Sequence, residues 1–421
     1  MNIGLYTLTS SLHDASALDA ASSQFVARIE GRLAELSSAA GHPSGFVYRG
    51  PDFADYGTHD LDVIYVRTGG TEGLFEGLFE RVSRTPEGRL RPVRLLTSGR
   101  SNSLAASMEI LSYLRRCGCP GEIIHGSDDY VAGRLLLLAE VETARRSLDG
   151  MRLGVVGKPS DWLIASAADP AAVRRRLGVE LVEVPMEELV GEIARREYPR
   201  TEVLKAVEGH VASLPEAVRP YWEGALEIYG GLKRIVERYR LDGLTIRCFD
   251  LLERMGNTGC LALALLNAEG IPSGCEGDVP ALLTMAVAHA LTDVSGFQAN
   301  PSRIDPETGE MVLAHCTVPL DMVRRFVYDT HFESGRGVAI RGELPEGAVT
   351  VFKLAGDLSR SCVFEAELAE NLCHPDLCRT QVLLRAPGVA DYFLRNPIGN
   401  HHVVLPGRHR ERIEALLASL E

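Results

Sequence analysis

Gly270-Ile271-Pro272-Ser273-Gly274-Cys275-Glu276-Gly277-Asp278 closes a long apolar helix pattern at 259–269, and a second apolar helix pattern at 279–291 starts directly after it. Glycine and proline mark the stretch as a turn. Acids in a turn between two core-seeking segments contribute little to folding, so Glu276 and Asp278 call for another reason. Carboxylate oxygen suits a hard divalent cation. Imidazoles follow downstream: His315 in Leu313-Ala314-His315-Cys316, and His401 and His402 in Gly399-Asn400-His401-His402-Val403-Val404. Groups so far apart in sequence can share an ion only in a folded site.

Upstream of the turn the chain alternates short apolar runs with amphipathic stretches. Strands are expected at 3–8, 61–66, 93–97 and 122–125, and helices at 19–38, 72–82, 104–115 and 130–148. That alternation implies parallel strands with helices on both faces. A second unit opens at Arg152-Leu153-Gly154-Val155-Val156-Gly157, with strands at 179–184 and 244–248 and helices across 186–239, interrupted at Gly209, Pro215 and Pro220. After about residue 325 short strand-like runs at 338–341, 348–353, 361–367 and 380–384 alternate with glycine and proline turns, ended by a helix at 409–420. The reading is an α/β protein. Two doubly wound parallel-sheet domains, residues 1–150 and 151–325, precede an antiparallel, barrel-like β domain at 326–421.

At 421 residues the chain exceeds what one core usually organises. Its 45% hydrophobic and 24% charged content is that of a globular enzyme. A net charge of -13, spread without blocks, disfavours nucleic acid and anionic membranes as partners. No apolar run is long enough to cross a bilayer. Nine cysteines, an odd count among apolar neighbours, and no signal-peptide pattern point to reduced thiols in a cytoplasm.

Other loops have plainer readings beside their chemical ones. Arg67-Thr68-Gly69-Gly70-Thr71-Glu72-Gly73 could hold an anion at a helix N-terminus, but it fits no phosphate-binding fingerprint and reads as a strand-to-helix turn. Thr97-Ser98-Gly99-Arg100-Ser101-Asn102-Ser103 either lines a crevice at strand ends or caps a helix. In Gly157-Lys158-Pro159-Ser160-Asp161-Trp162, Trp162 either stacks on a sugar face or packs between domains, and Lys158 could donate to hydroxyls. Cys373-His374-Pro375-Asp376-Leu377-Cys378 lacks the second ligand pair of a zinc site, and Cys117-Gly118-Cys119 has the wrong spacing for a redox motif. A single histidine such as His315 is ordinarily a core residue. On a strand, His401 and His402 face opposite sides, so only one can enter a given site.

From about residue 240 onward the chain resembles the L-fucose/L-arabinose isomerase superfamily, especially its shorter fucose-isomerase-like members. The resemblance is carried by Gly274-Cys275-Glu276-Gly277-Asp278, Gly296-Phe297-Gln298-Ala299-Asn300-Pro301, Ala314-His315-Cys316 and Asn400-His401-His402, in that order, with Gly157 to Leu163 resembling the start of that family's second domain. It implies two α/β domains and an antiparallel β domain in a homo-oligomer, Mn²⁺ or another divalent cation, and interconversion of an aldose with its ketose. It implies Glu276 as metal ligand and acid/base, His401 as the C-terminal ligand with His402 as fallback, and His315 as a site histidine. Asn300 stands where family members usually carry a second carboxylate. It offers a carbonyl oxygen to a cation but accepts no proton; Asp278, or else Asp305, could compensate.

The expected reaction moves a hydrogen between C1 and C2 through an enediolate that a metal would stabilise, with a carboxylate carrying the proton. The substrate is then a small sugar, with Glu276 and Asp278 catalytic, Glu276, Asn300 and His401 on the metal, and His315, Lys158, Trp162 and His402 on the sugar. Two alternatives stay open: a sugar-binding or regulatory protein without turnover, and another enediolate reaction such as a retro-aldol cleavage.

Overall fold

The computed structural model describes residues 1–12, 15–39, 41–86, 88–209 and 214–420, with residues 15–19 described by backbone alone. The chain is mixed α/β and divides into two compact units, Met1–Arg146 with Glu414–Glu421, and Ser147–Ile413.

The first unit is built on a five-stranded parallel sheet. Its strands are β1 (Asn2–Leu8), β2 (Gly45–Gly50), β3 (Leu61–Val66), β4 (Val93–Thr97) and β5 (Gly121–Ile124), in the order β2-β1-β3-β4-β5. β3 and β4 are buried along their whole length, the pattern of strands covered on both faces. β2 has no counterpart in the sequence reading. It is a half-exposed edge strand whose Phe46-Val47-Tyr48-Arg49 lacks the continuous apolar run of its neighbours.

In the second unit a parallel sheet of β6 (Arg152–Val156), β7 (Glu180–Val184), β8 (Gly243–Ile246) and β9 (Ser273–Gly274) runs in the order β7-β6-β8-β9. The helical stretch between β7 and β8 breaks where its residues require. Thr201 caps the helix Glu202–Glu208, Gly209 ends it, and Pro220 lies in a 3-10 turn before the helix Trp222–Tyr239. Two almost wholly apolar helices, Cys260–Ala268 and Val279–Thr292, flank β9 and are buried nearly throughout.

A closed six-stranded antiparallel barrel follows: β10 (Phe297–Ile304), β11 (Glu310–His315), β14 (Gly347–Leu354), β15 (Ser361–Asn371), β16 (Thr380–Arg385) and β17 (His402–Pro406), in the order β10-β11-β16-β15-β14-β17. β12 (Arg325–Asp329) and β13 (Ala339–Glu343) form a separate ribbon. The barrel thus begins at Phe297, well before the change of pattern near residue 325. β10 hides its strand signal because Pro301 and a register shift before Arg303 break its alternation. Side chains of the helices Trp222–Tyr239 and Cys260–Ala268 share one core with Met311, Leu313, Val349 and Val382 of the barrel. Val156 of β6 and Leu244 and Ile246 of β8 belong to that common core. Among the described residues, no helix is long and apolar enough to cross a membrane.

Candidate metal centre

Glu276, His315 and His401 meet where the turn after β9 faces the end of β11 and the start of β17. One potential ligand atom from each lies within 4.8 Å of the other two. Oε1 of Glu276 stands 3.5 Å from Nε2 of His401 and 3.8 Å from Nε2 of His315. The two imidazoles sit edge to face, ring centres 5.3 Å apart.

The turn holds Glu276 in place at a backbone cost. Glu276 adopts φ +63, a left-handed conformation that a residue with Cβ normally avoids. Gly277 follows at φ +69, and a Cβ there would come within 2.5 Å of the Lys158 carbonyl oxygen, so only glycine fits between the two loops. The surroundings over-determine the strained residue. The Cys275 N–H donates to Gln298 Oε1 at 2.8 Å, Gln298 Nε2 returns a weaker contact to the Cys275 carbonyl at 3.4 Å, and the Ser160 N–H donates to the Glu276 carbonyl at 2.9 Å.

Asp278 does contribute to folding, contrary to what its place between apolar helices suggests. It caps the helix Val279–Thr292, accepting the Ala281 N–H at 2.7 Å. Its other oxygen lies 2.8 Å from Nδ1 of His401. Lys353, on β14 and 1% exposed, brings Nζ to 3.7 Å from the same carboxylate and has no hydrogen-bond partner.

Burial alone would lower the His401 imidazole, but the Asp278 and Glu276 carboxylates on its two sides outweigh it and push it up to about 9. Burial alone would raise the Glu276 carboxyl; His315 and His401 instead hold it well below the usual range. Asp278 is lowered too, with Lys353 and His401 overcoming its burial. His315 is lowered by burial, only partly offset by Glu276. The site is therefore a buried set of anionic oxygens and imidazole nitrogens.

Its residues fit a divalent cation. Two donors each about 2.1 Å from one ion stand roughly 3.0–4.2 Å apart, close to the spacings seen here. Nε2 of His401 is buried without a hydrogen-bond partner, while Nδ1 is tied to Asp278, and a ligating histidine ordinarily has its other nitrogen held by a carboxylate in this way.

The remaining residues singled out in the sequence fall around or outside this group. Asn300 lies beside it on β10, its carboxamide oxygen accepting from Asn400 Nδ2 at 3.0 Å. His402 points the other way, as strand alternation requires, with Nε2 2.8 Å from the Tyr392 hydroxyl and Nδ1 donating to the Asn400 carbonyl. Lys158 is exposed and ion-paired with Asp161 at 3.2 Å. Trp162 donates its indole N–H to Oε2 of Glu276 at 2.6 Å. Asp305 accepts N–H groups within its own exposed turn. Cys373 contacts Arg341, and Cys378 packs against the buried cluster of Cys260 and Cys316. Among the described residues, no cysteine belongs to a metal-ligating group.

Phe249, His331, Glu333, Gln298 and Lys353 were not singled out from sequence. Phe249 lies edge-on to Trp162, with ring centres 4.8 Å apart, and His331 edge-on to Phe249 at 5.6 Å. Glu333 follows two residues after His331. It is exposed, and its carboxyl is raised by desolvation and then by the charge of Glu276. Only Gln298 lay inside a motif quoted from sequence; nothing local to the others marks them.

No protein-family model matches the chain. It is 25% identical over 276 residues to sulfoquinovose isomerase from Priestia aryabhattai, and equally to that from Priestia megaterium, covering 61% of this chain and 59% of each relative. A sulfoquinovose isomerase from a Clostridium species is 24% identical over 171 residues, 40% of this chain and 38% of that protein. The chain therefore matches less than two thirds of these relatives' length. A solved D-threo-3-hydroxyaspartate dehydratase from Delftia sp. HT23 aligns with a TM-score of only 0.14 at 11% identity over 99% of this chain and 91% of that one, too low to inform the fold. The similarity in sequence is thus to sulfoquinovose isomerases.

Proposed function

We propose that this chain is a divalent-metal-dependent aldose–ketose isomerase whose substrate is a sugar of the sulfoquinovose type. The observation that carries the reading is the convergence of Glu276, His315 and His401 around the partnerless Nε2 of His401. The similarity to sulfoquinovose isomerases supports the reaction class and suggests the sugar. Mn²⁺ is the first ion to test, and a homo-oligomer in the cytoplasm is the accompanying expectation.

Glu276, His315 and His401 would hold the ion, with Asn300 able to add a carbonyl oxygen. Such an ion polarises a carbonyl and offsets negative charge on neighbouring oxygens. The protein's own part is orientation and proton traffic. Asp278, with one oxygen on the Ala281 N–H and the other on His401, has no free edge for substrate and acts by positioning His401. Glu276 engaged as a ligand is a poor free base. Glu333, in the exposed turn after His331, whose ring meets the Phe249 ring that packs on Trp162, is our candidate for carrying the proton between carbons. It would supply what Asn300 cannot.

The test is incubation of the purified protein with Mn²⁺ and sulfoquinovose, glucose, fucose and arabinose, following ketose formation by NMR. Metal-dependent ketose formation, lost in Glu276→Gln, supports the proposal. Absence of turnover on every sugar, with sugar binding that ignores Mn²⁺, overturns it in favour of a binding protein, the reading that Asn300 favours.

A further inference from the structure

We infer that Trp162 is a positioning residue for the cation site: its indole N–H holds one oxygen of Glu276 and leaves the other alone to face His315 and His401. The inference rests on the metal-site reading above.

The two oxygens of Glu276 are treated differently. Oε1 faces both imidazoles, at 3.5 and 3.8 Å. Oε2 accepts from Trp162 Nε1 at 2.6 Å, a short charge-assisted bond. The indole N–H is a neutral donor that neither ligates a metal nor accepts a proton. It can therefore fix a carboxylate without competing for the ion. A glutamate side chain has three rotatable bonds, and without this anchor the carboxylate could turn either oxygen, or both, toward the imidazoles.

Packing does not account for this tryptophan. Trp162 is 51% exposed, whereas Trp222, the other tryptophan, is 6% exposed. Its ring is nevertheless fixed. Phe249 meets it edge-on at an interplanar angle of 85°. The loop beneath is tied down by Arg247, which donates to the Pro159 carbonyl at 2.5 Å and to Asp161 at 2.7 Å. The Ser160 N–H joins that loop to the peptide of Glu276 itself. Donor and acceptor are thus held by the same pair of loops, although 114 residues separate them in sequence.

Stacking on a sugar face is the competing role, and Trp162→Phe separates the two because it keeps an aromatic face and loses the N–H. The experiment is Mn²⁺ binding to the full chain without sugar, by calorimetry, for the wild type, Trp162→Phe and Trp162→His, with thermal unfolding as the folding control. Loss of an outer-shell partner typically weakens metal affinity by about 10–100-fold. Trp162→Phe should fall in that range with its melting temperature kept, and Trp162→His, which restores a ring donor, should recover part of the loss. Wild-type affinity in Trp162→Phe overturns the inference and leaves the metal site standing. If Trp162→Phe does not fold, equal weakening in Trp162→His and a folded Trp162→Ala overturns it, since the donor would then be irrelevant. A wild type that binds no Mn²⁺ overturns the underlying reading instead.

Discussion

Oδ2 of Asp278 stands 2.8 Å from Nδ1 of His401, with both side chains fully shut off from solvent. One aspartate thereby serves two ends: it caps the helix Val279–Thr292 and turns Nε2 of His401 toward Glu276. Asp278→Asn keeps an oxygen for the cap but loses the charge that faces the imidazole and Lys353. Mn²⁺ affinity should fall by about 10–100-fold. Stability should fall as well, by about 3–5 kcal/mol at most, because Lys353 then lacks its buried counter-charge. Titration with Mn²⁺ and denaturant melts would check both effects, and an unchanged affinity would separate Asp278 from the metal site.

Glu333→Gln tests the assignment of proton transfer. A positioned general base is worth about 10²–10⁴-fold in rate. The turnover number should drop by that order while Mn²⁺ affinity holds, the reverse of the pattern expected for Asp278→Asn. Equal activity in Glu333→Gln would return the proton carrier to Glu276.

Gln298→Leu removes the amide that pairs with the Cys275 peptide. It leaves the buried Cys275 N–H without its partner, at a cost of about 1–3 kcal/mol, while the Cys275 carbonyl keeps the Asp278 N–H at 3.2 Å. The Glu276 turn loses a support at the same time. We expect a lower melting temperature together with weaker Mn²⁺ binding; a stability loss with full affinity would show that the turn is held by Ser160 and Gly277 alone.

His331 provides a pH-dependent prediction. Burial lowers its imidazole from 6.5 to about 4, helped by repulsion from His315. The unfolded chain therefore binds a proton on this residue that the folded chain refuses. Its contribution to stability is full above pH 6.5 and is lost as pH falls through the window from 6.5 to about 4. His331→Gln should flatten the acid limb of a stability-against-pH curve in that window. An unaltered limb would mean that His331 titrates normally.

Many strand positions were legible because parallel strands buried on both faces advertise themselves as apolar runs, as in β3 and β4. β2 and β10 carry no such signal: one is a half-exposed edge strand and the other is interrupted at Pro301. Glu276, His315 and His401 were each singled out through motif resemblance, although His315 was expected on the sugar and Asn300 on the ion, and strand alternation foresaw that His401 and His402 diverge. The supports were not legible. Trp162 to Glu276, Asp278 to His401 and Lys353 to Asp278 are contacts between segments far apart in the chain, and no local pattern encodes so remote a partner. Lys353 is the clearest case, since a lysine inside an apolar strand reads as an exposed position until its aspartate is in view.

The left-handed backbone at residue 276 separates what chemistry wants there from what the polypeptide would choose. Asparagine visits that region more readily than glutamine, yet both remove the carboxylate. Two dead variants, Glu276→Asn and Glu276→Gln, should thus differ in melting temperature, the shorter amide being the more robust by up to about 1 kcal/mol. Glutamate persists against that preference. Thermal screens for hardier versions of this protein would then drift toward catalytic silence at this position.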